Sequence, residues 1–221
     1  MLPDGSKRIR PKTSQHIFLK QRMMIIMRNM KPTTRTTAKE ASHERIVSAA
    51  ARAIRRSGYD GTGVADIMKE AGLTHGAFYA HFTSREAMLA EAAGRACAEA
   101  AAAAADGVAS VPAEQALTYM FHAYLSRENL EQVERGCPLA ALGSETARQA
   151  PEIRRVTTRY IKEMVDLVAR QSADWGQPGV HERALVTVAT MVGTLLLARV
   201  ADEPALSDSL RSAALKHLPI T

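Results

Sequence analysis

The sequence predicts an all-α protein, with a small three-helix domain at the N-terminal end and a larger helical domain behind it. Three observations point there. Only 5% of the 221 residues are aromatic, with Trp175 the single tryptophan, so the core must be built from Ala, Leu, Val, Ile and Met. Of these, Ala, Leu and Met are strong helix formers. Apolar residues recur at three- and four-residue steps, and no convincing alternation of period two is present. With 46% apolar and 24% charged residues the composition is that of a globular protein. The length allows one or two domains with a real core. Two cysteines, Cys97 and Cys137, exclude a disulfide-dense fold and a four-cysteine zinc site.

Residues 42–57 read as the first helix. Ile46, Val47, Ala50 and Ile54 share one face, and Arg45, Arg52, Arg55 and Arg56 lie on the others. Ser42 is the expected N-cap, and Gly58 the glycine that ends the helix. Tyr59-Asp60-Gly61 is a turn. A second helix starts near Thr62, whose hydroxyl is placed to cap it. Ile67 and Ala71 face inward, Gly72 closes the helix and Leu73 plugs the corner. Thr74 is a second hydroxyl cap, opening a third helix that runs through His81. Two short helices around a glycine-containing turn fit a helix-turn-helix over about 63–82, with the second lying in a major groove. Ser84 caps the helix that follows.

The run from Thr62 to Glu86 resembles the N-terminal DNA-binding domain of TetR/AcrR-type transcriptional repressors. Gly58, Thr62, Ile67, Ala71-Gly72, Gly76, Tyr79, Phe82 and Ser84-Arg85-Glu86 carry the likeness, which covers about residues 40–100. It implies double-stranded operator DNA as partner, with Thr62, Gly63, Thr74, His75, Gly76, Ala77, Tyr79, His81 and Arg85 as the DNA-binding residues. Thr74, His75 and Ala77 stand at the exposed start of the third helix, where base edges are reached. Thr and Ala methyls suit the thymine methyl, and a histidine can donate to a base or a phosphate. Tyr79 and His81 match the family's phosphate contacts, and Arg85 would be a charge-assisted phosphate ligand. Gly76 either lets the backbone approach DNA or merely packs. Phe78 and Phe82 read as core pins. Gly63 stands where many members carry a hydroxyl, which reduces one contact to a backbone N–H. His75 stands where many carry Lys, so the charge there depends on pH.

Behind this domain the helical pattern continues. Eleven of the sixteen residues 90–105 are Ala, read as a helix running on from Ser84 to Asp106-Gly107. Pro112 opens the next, with Leu117, Met120, Phe121, Tyr124 and Leu125 as its apolar stripe. Pro138 fits the first turn of a helix reaching about Gln149. Pro151 opens a long helix with Ile153, Val156, Tyr160, Ile161, Met164, Leu167 and Val168 on one face. A loop holds Trp175, a helix follows over about 180–200, Asp202-Glu203-Pro204 ends it, and a last helix reaches about His217. The resemblance implies that residues 101–221 are a ligand-binding and dimerisation domain. The helices near 152–172 and 180–200 would pair across a homodimer, with Gly193 permitting close approach. Met120, Phe121, Tyr124, Cys137 and Tyr160 are the candidate effector-binding residues. Cys137, at a helix N-terminus beside a glycine, is also a candidate reactive thiol.

Charge is uneven. Residues 1–39 carry ten basic groups against Asp4, giving +9; residues 40–95 balance at seven against seven; residues 96–221 carry twelve basic and fifteen acidic groups, giving −3. The front therefore reads as a basic, unstructured tail suited to a polyanion. Its apolar run, Met23 to Met27, is five residues, against the about 7–15 of a secretory leader. The uninterrupted apolar runs elsewhere fall short of the ~20 residues that span a bilayer. A cytoplasmic location and no membrane partner are expected. Met23, Met24, Met27 and Met30 are alternative translation starts. No phosphate loop, nucleophile elbow or paired carboxylates are present, Glu145 and His122 standing isolated, so neither an enzyme nor a cofactor is expected. The reading is a dimeric repressor released from a palindromic operator by a small-molecule effector. A redox- or electrophile-responsive repressor acting through Cys137, or an activator of the same fold, is the alternative.

Overall fold

The computed structural model describes residues 34–218. All regular elements among them are helical, as the composition predicts. By its contacts the chain divides into residues 1–41 and 42–221. Of the first unit only the opening turns of helix α1 (Thr34–Ser57) are described. The expected basic tail, 1–39, otherwise lies outside the described residues. Because α1 begins eight residues before Ser42, Ser42 is not an N-cap. Its hydroxyl instead accepts a 3.2 Å hydrogen bond from Arg45.

The second unit continues with α2 (Val64–Glu70), a 3₁₀ helix (His75–Ala80), α3 (Arg85–Ala109), a 3₁₀ turn (Ala113–Gln115) and α4 (Ala116–Tyr124). Then come α5 (Arg127–Glu131), α6 (Pro138–Thr146), α7 (Pro151–Gln171), α8 (Val180–Val200) and α9 (Pro204–His217). Pro138, Pro151 and Pro204 each open their helix, where a missing N–H costs nothing. Ser84 caps α3 by accepting from the Ala87 N–H at 3.1 Å, as expected. The end of α2 is a Schellman motif: Leu73 N–H reaches Met68 O at 2.8 Å and Gly72 N–H reaches Lys69 O at 3.0 Å, with Gly72 at φ +72°.

Several expectations are corrected. Thr62 does not cap α2; that position belongs to Gly63, and the buried Thr62 hydroxyl donates to Gly58 O at 2.6 Å. Thr74 occupies the cap position of the following segment, but its hydroxyl caps nothing. That segment is 3₁₀ rather than α, with Ala77 N–H on Thr74 O and His81 N–H on Phe78 O. Helix α3 runs past Asp106-Gly107 to Ala109, and α6 stops at Thr146 rather than near Gln149. The short helix α5 has no counterpart in the sequence reading.

Two apolar clusters form. The first joins Ile46, Ala50 and Ile54 of α1, Ile67 and Met68 of α2, Phe78, Phe82, and Met88 to Ala93 of α3. Phe78 and Phe82 stack at 5.6 Å, as core pins should. Leu142 of α6 and Ile153 of α7 complete this cluster from the rear of the chain. The second gathers Cys97, Leu117, Met120, Phe121, Leu125, Cys137, Tyr160, Val168, Met191 and Leu195. Helix α3 thus serves both clusters along one length.

Helix α8 is apolar on two opposite faces. Ala184, Val188, Met191, Leu195 and Ala198 are buried, while Val186, Leu197 and Val200 are 63%, 52% and 74% exposed. With Ala189, Thr190 and Gly193 these form one bare stripe at helical spacing. On α7, Ile161 is exposed rather than on the buried face. By length and composition α8 is apolar enough to cross a membrane, a test that the core helix of a folded domain also passes. One third of its most apolar stretch is buried against the rest of the fold.

Gly58 and Gly72 both adopt left-handed backbone, at φ +75° and +72°. A Cβ at Gly72 would meet nothing within 4 Å, whereas one at Gly58 would lie 2.5 Å from a Glu145 carboxylate oxygen. Gly72→Ala should therefore cost about 1 kcal/mol of backbone strain. Gly58→Ala should cost measurably more, because Glu145 must also move. Urea denaturation of the two variants checks the order.

Candidate nucleic-acid interface and inner cavity

The helix-turn-helix presents one open edge. Thr74, His75 and Gly76 are exposed, and Tyr79 is 73% exposed, its ring steadied edge-on by Phe78 at 5.3 Å. A Cβ on Gly76 would meet nothing within 4 Å, so no packing inside the fold requires a glycine there. Of the two roles open to it in the sequence, close approach by something outside is the one that keeps a physical reason. Ala77 is half-buried against the first cluster. Gly63 is exposed at the start of α2.

Three expected contacts sit differently. The Thr62 side chain is buried and its hydroxyl engaged, which leaves only its backbone for a partner. His81 is half-buried, its ring 5.9 Å from His43, which itself stacks on Phe82 at 4.7 Å and meets Glu91 at 2.7 Å. Arg85 is half-buried and donates through Nη2 to the carbonyls of Tyr59 and Thr62. It staples the turn before α2 rather than standing free on the surface.

That turn is tied to the rest of the chain by contacts invisible in the sequence. Tyr59 N–H donates to Glu145 Oε2 at 2.8 Å, and Tyr59 OH lies 3.3 Å from Thr146 Oγ1. Arg56 donates to Glu134 at 2.7 Å, and the buried Arg55 to Glu99 at 2.6 Å. Glu145, isolated in the sequence, is therefore a hinge contact. Arg52 and Arg56 also clasp Glu70 of α2. Burial alone would raise the Glu70 pKa, but the hydrogen bonds from both arginines outweigh it and hold the carboxyl below its usual range.

The other end of α6 meets a cavity of about 530 Å³, within the range of small-molecule sites. Met120, Tyr124, Cys137 and Tyr160 line it, together with Tyr119, Met164, Leu167, Met191 and the alanine run 100–105. Phe121 does not. It is the helical neighbour of Met120 but points into the packed core, 1% exposed. Cys137 is the N-cap of α6 and 4% exposed, and its sulfur accepts from the Tyr160 hydroxyl at 3.8 Å. Burial pushes the Cys97 thiol up to about 12. Cavity wall and helix-turn-helix are thus joined by one nine-residue helix, a span of about 13 Å. Its N-cap, Cys137, lines the cavity, and its last two residues touch the Tyr59 turn. Among the described residues no cluster of His, Cys, Asp or Glu could hold a metal ion.

Known proteins place this geometry. Residues 46–92 match the model of bacterial regulatory proteins, tetR family, and residues 112–212 match the C-terminal domain of LmrA/YxaF-like transcriptional regulators. An uncharacterized HTH-type transcriptional regulator of Mycobacterium tuberculosis is 29% identical over 193 residues, covering 81% of this chain and 97% of its own. A TetR-family regulator from Chloroflexus aurantiacus superposes with a TM-score of 0.67 at 25% identity, over 82% of this chain and 96% of that one. One from Agrobacterium tumefaciens gives 0.68 at 18%, over 81% and 98%. The reduced form of Escherichia coli NemR gives 0.67 at 18%, over 80% and 94%.

Arg85→Ala should lower stability by about 1–3 kcal/mol, because two backbone carbonyls lose a charged donor. A thermal melt without DNA checks this; a free surface arginine would leave it unchanged.

Proposed function

The chain belongs to the TetR family of bacterial regulatory proteins, and from that premise we propose that it is a dimeric, cytoplasmic repressor that leaves its operator when a small molecule enters the cavity. Residues 40–100 form its DNA-reading head and residues 101–221 its sensing and dimerising body. The observation that carries the reading is the open edge of Thr74, His75, Gly76 and Tyr79, apolar-backed and with no packing need for the glycine. Thr74, His75 and Ala77 meet base edges, while Tyr79, Gly63 and the backbone at Thr62 meet phosphates. Arg85 and His81 act mainly by fixing the turn and the end of the reading segment.

One head alone contacts few base pairs, so two heads about one turn of DNA apart are needed for useful affinity. The bare stripe on α8, with Ile161 on α7, is the surface that supports pairing. Gly193 lies on that stripe with open space about it, where two helices can come close. Release is then a matter of α6. A ligand against Cys137 and Gly136 shifts the helix that carries Glu145 and Thr146, and the Tyr59 turn moves with it. A coupling of about 1–3 kcal/mol is enough for such a switch. Release through modification of Cys137 has less support, since its sulfur is buried and already accepts a hydrogen bond.

The test is selection of genomic fragments bound by the protein, followed by binding to the resulting consensus. Tyr79→Phe should weaken all sequences alike, and His75→Ala should relax preference at one position in each half-site. An unchanged preference in His75→Ala would remove that residue from the reading edge. Affinity should fall with salt at a log–log slope of about −0.9 per phosphate contacted. Val186→Glu combined with Leu197→Glu should convert a dimer to a monomer in sedimentation and abolish tight operator binding while the melt is retained.

A further inference from the structure

We propose that the cavity beside Cys137 takes an uncharged, largely apolar molecule with one hydrogen-bond acceptor, a carbonyl or ether oxygen, that receives the Tyr124 hydroxyl. This rests on the effector reading above and names the effector's chemistry.

The wall sets the terms. Beside the alanine methyls its apolar part is Met120, Met164, Leu167, Val168 and Met191, side chains that favour an apolar body, the methionines adapting to its outline. The charged lining residues are Arg135 and Glu163, of opposite sign and both exposed, so the charge they offer is already in water. A ligand charge carried into the interior would meet no opposite charge on the wall and would lose its hydration. Arg199 stands close behind Gly136, but its Nη2 and Nε already donate to the carbonyls of Asn129 and Leu130, at 2.7 and 3.3 Å. One buried Nη1 of Arg199 is left without a partner, which makes an anionic ligand the rival to be tested.

Two buried hydroxyls stand at the wall, those of Tyr160 and Tyr124. The Tyr160 hydroxyl donates to the Cys137 sulfur. The Tyr124 hydroxyl lies beside the same sulfur but makes no well-formed hydrogen bond, which leaves its donor to be satisfied better by a guest. Burial first, and then the neighbouring Cys137 thiol, pushes its pKa well up, so it remains an O–H donor. The complement to this wall is an acceptor on an apolar frame.

Nile red is the probe: it is uncharged, apolar and carries a ring carbonyl, and its emission reports both polarity and hydrogen bonding. Titrated into the full chain it should bind saturably, one per chain, with emission blue-shifted from water. Tyr124→Phe should weaken binding about three- to tenfold and shift emission further to the blue, with the ligand-free melt not lowered. Ala104→Trp should fill the cavity and abolish binding; if it does not fold, Ala123→Trp on α4 serves the same purpose. Binding that is unsaturable, or that survives the cavity-filling variant, overturns the site. Identical affinity and emission in Tyr124→Phe overturn the donor, and displacement by the anionic dye 1-anilinonaphthalene-8-sulfonate overturns the absence of charge. Operator binding is read separately by gel shift. Intact operator binding without Nile red removes the ligand class and leaves the DNA reading standing. Nile red bound without release of operator upholds the ligand class and removes the effector reading.

Discussion

A backbone amide that leaves a helix and stays buried must find an acceptor, and that of Tyr59 finds one on Glu145, eighty-six residues further along the chain. Much of the molecule is arranged around this single bond. Gly58 makes room for the carboxylate, since any side chain there would strike it. Thr62 and Arg85 hold the other polar groups of the same turn. Leu142 and Ile153 close the apolar cluster beneath it. The turn from which α2 departs is therefore held partly by α6, far along the chain.

On the function proposed above, this arrangement couples DNA reading and ligand sensing mechanically. Helix α6 spans only nine residues, so its two ends lie about 13 Å apart. Its N-terminal end borders the cavity and its C-terminal end holds the turn. Helix α3 provides the fixed reference, because its first half belongs to one cluster and Cys97 to the other.

Local features were legible in the sequence, and long-range ones were not. The breaks at Gly58, Gly72, Pro138, Pro151 and Pro204 and the cap at Ser84 follow from the chemistry of single residues, and all appear where expected. Ser42 failed as a cap because α1 begins at Thr34, and Thr62 and Thr74 because a hydroxyl near a helix start need not turn to the backbone N–H groups that follow. At Thr62 it donates instead to the carbonyl of Gly58. Arg85 looked like a surface cation because nothing local reveals two carbonyls twenty-odd residues back. Met120, Tyr124, Cys137 and Tyr160 stood among the candidate effector-binding residues, and all four line one cavity. Phe121 stood with them, but a step of one residue turns it about 100° around the helix, into the core. Glu145 could not be read at all, since its partner is a main-chain N–H with no sequence signature.

The alanine run of α3 has a consequence for how such a cavity changes over generations. Where the wall of a pocket is made of large side chains, altering its shape means removing packing that the fold depends on. Here residues 100–105 border the space with methyl groups alone, and most of them carry little of the core. Enlarging any one of them takes volume from the guest without disturbing a hydrogen bond or an ion pair. The contour of the chamber is adjustable one carbon at a time, on a helix whose other end anchors the reading head and is left untouched. If the cavity holds the effector proposed above, a lineage built on this scaffold can exchange one inducing molecule for another in small steps while the helix-turn-helix is left unaltered.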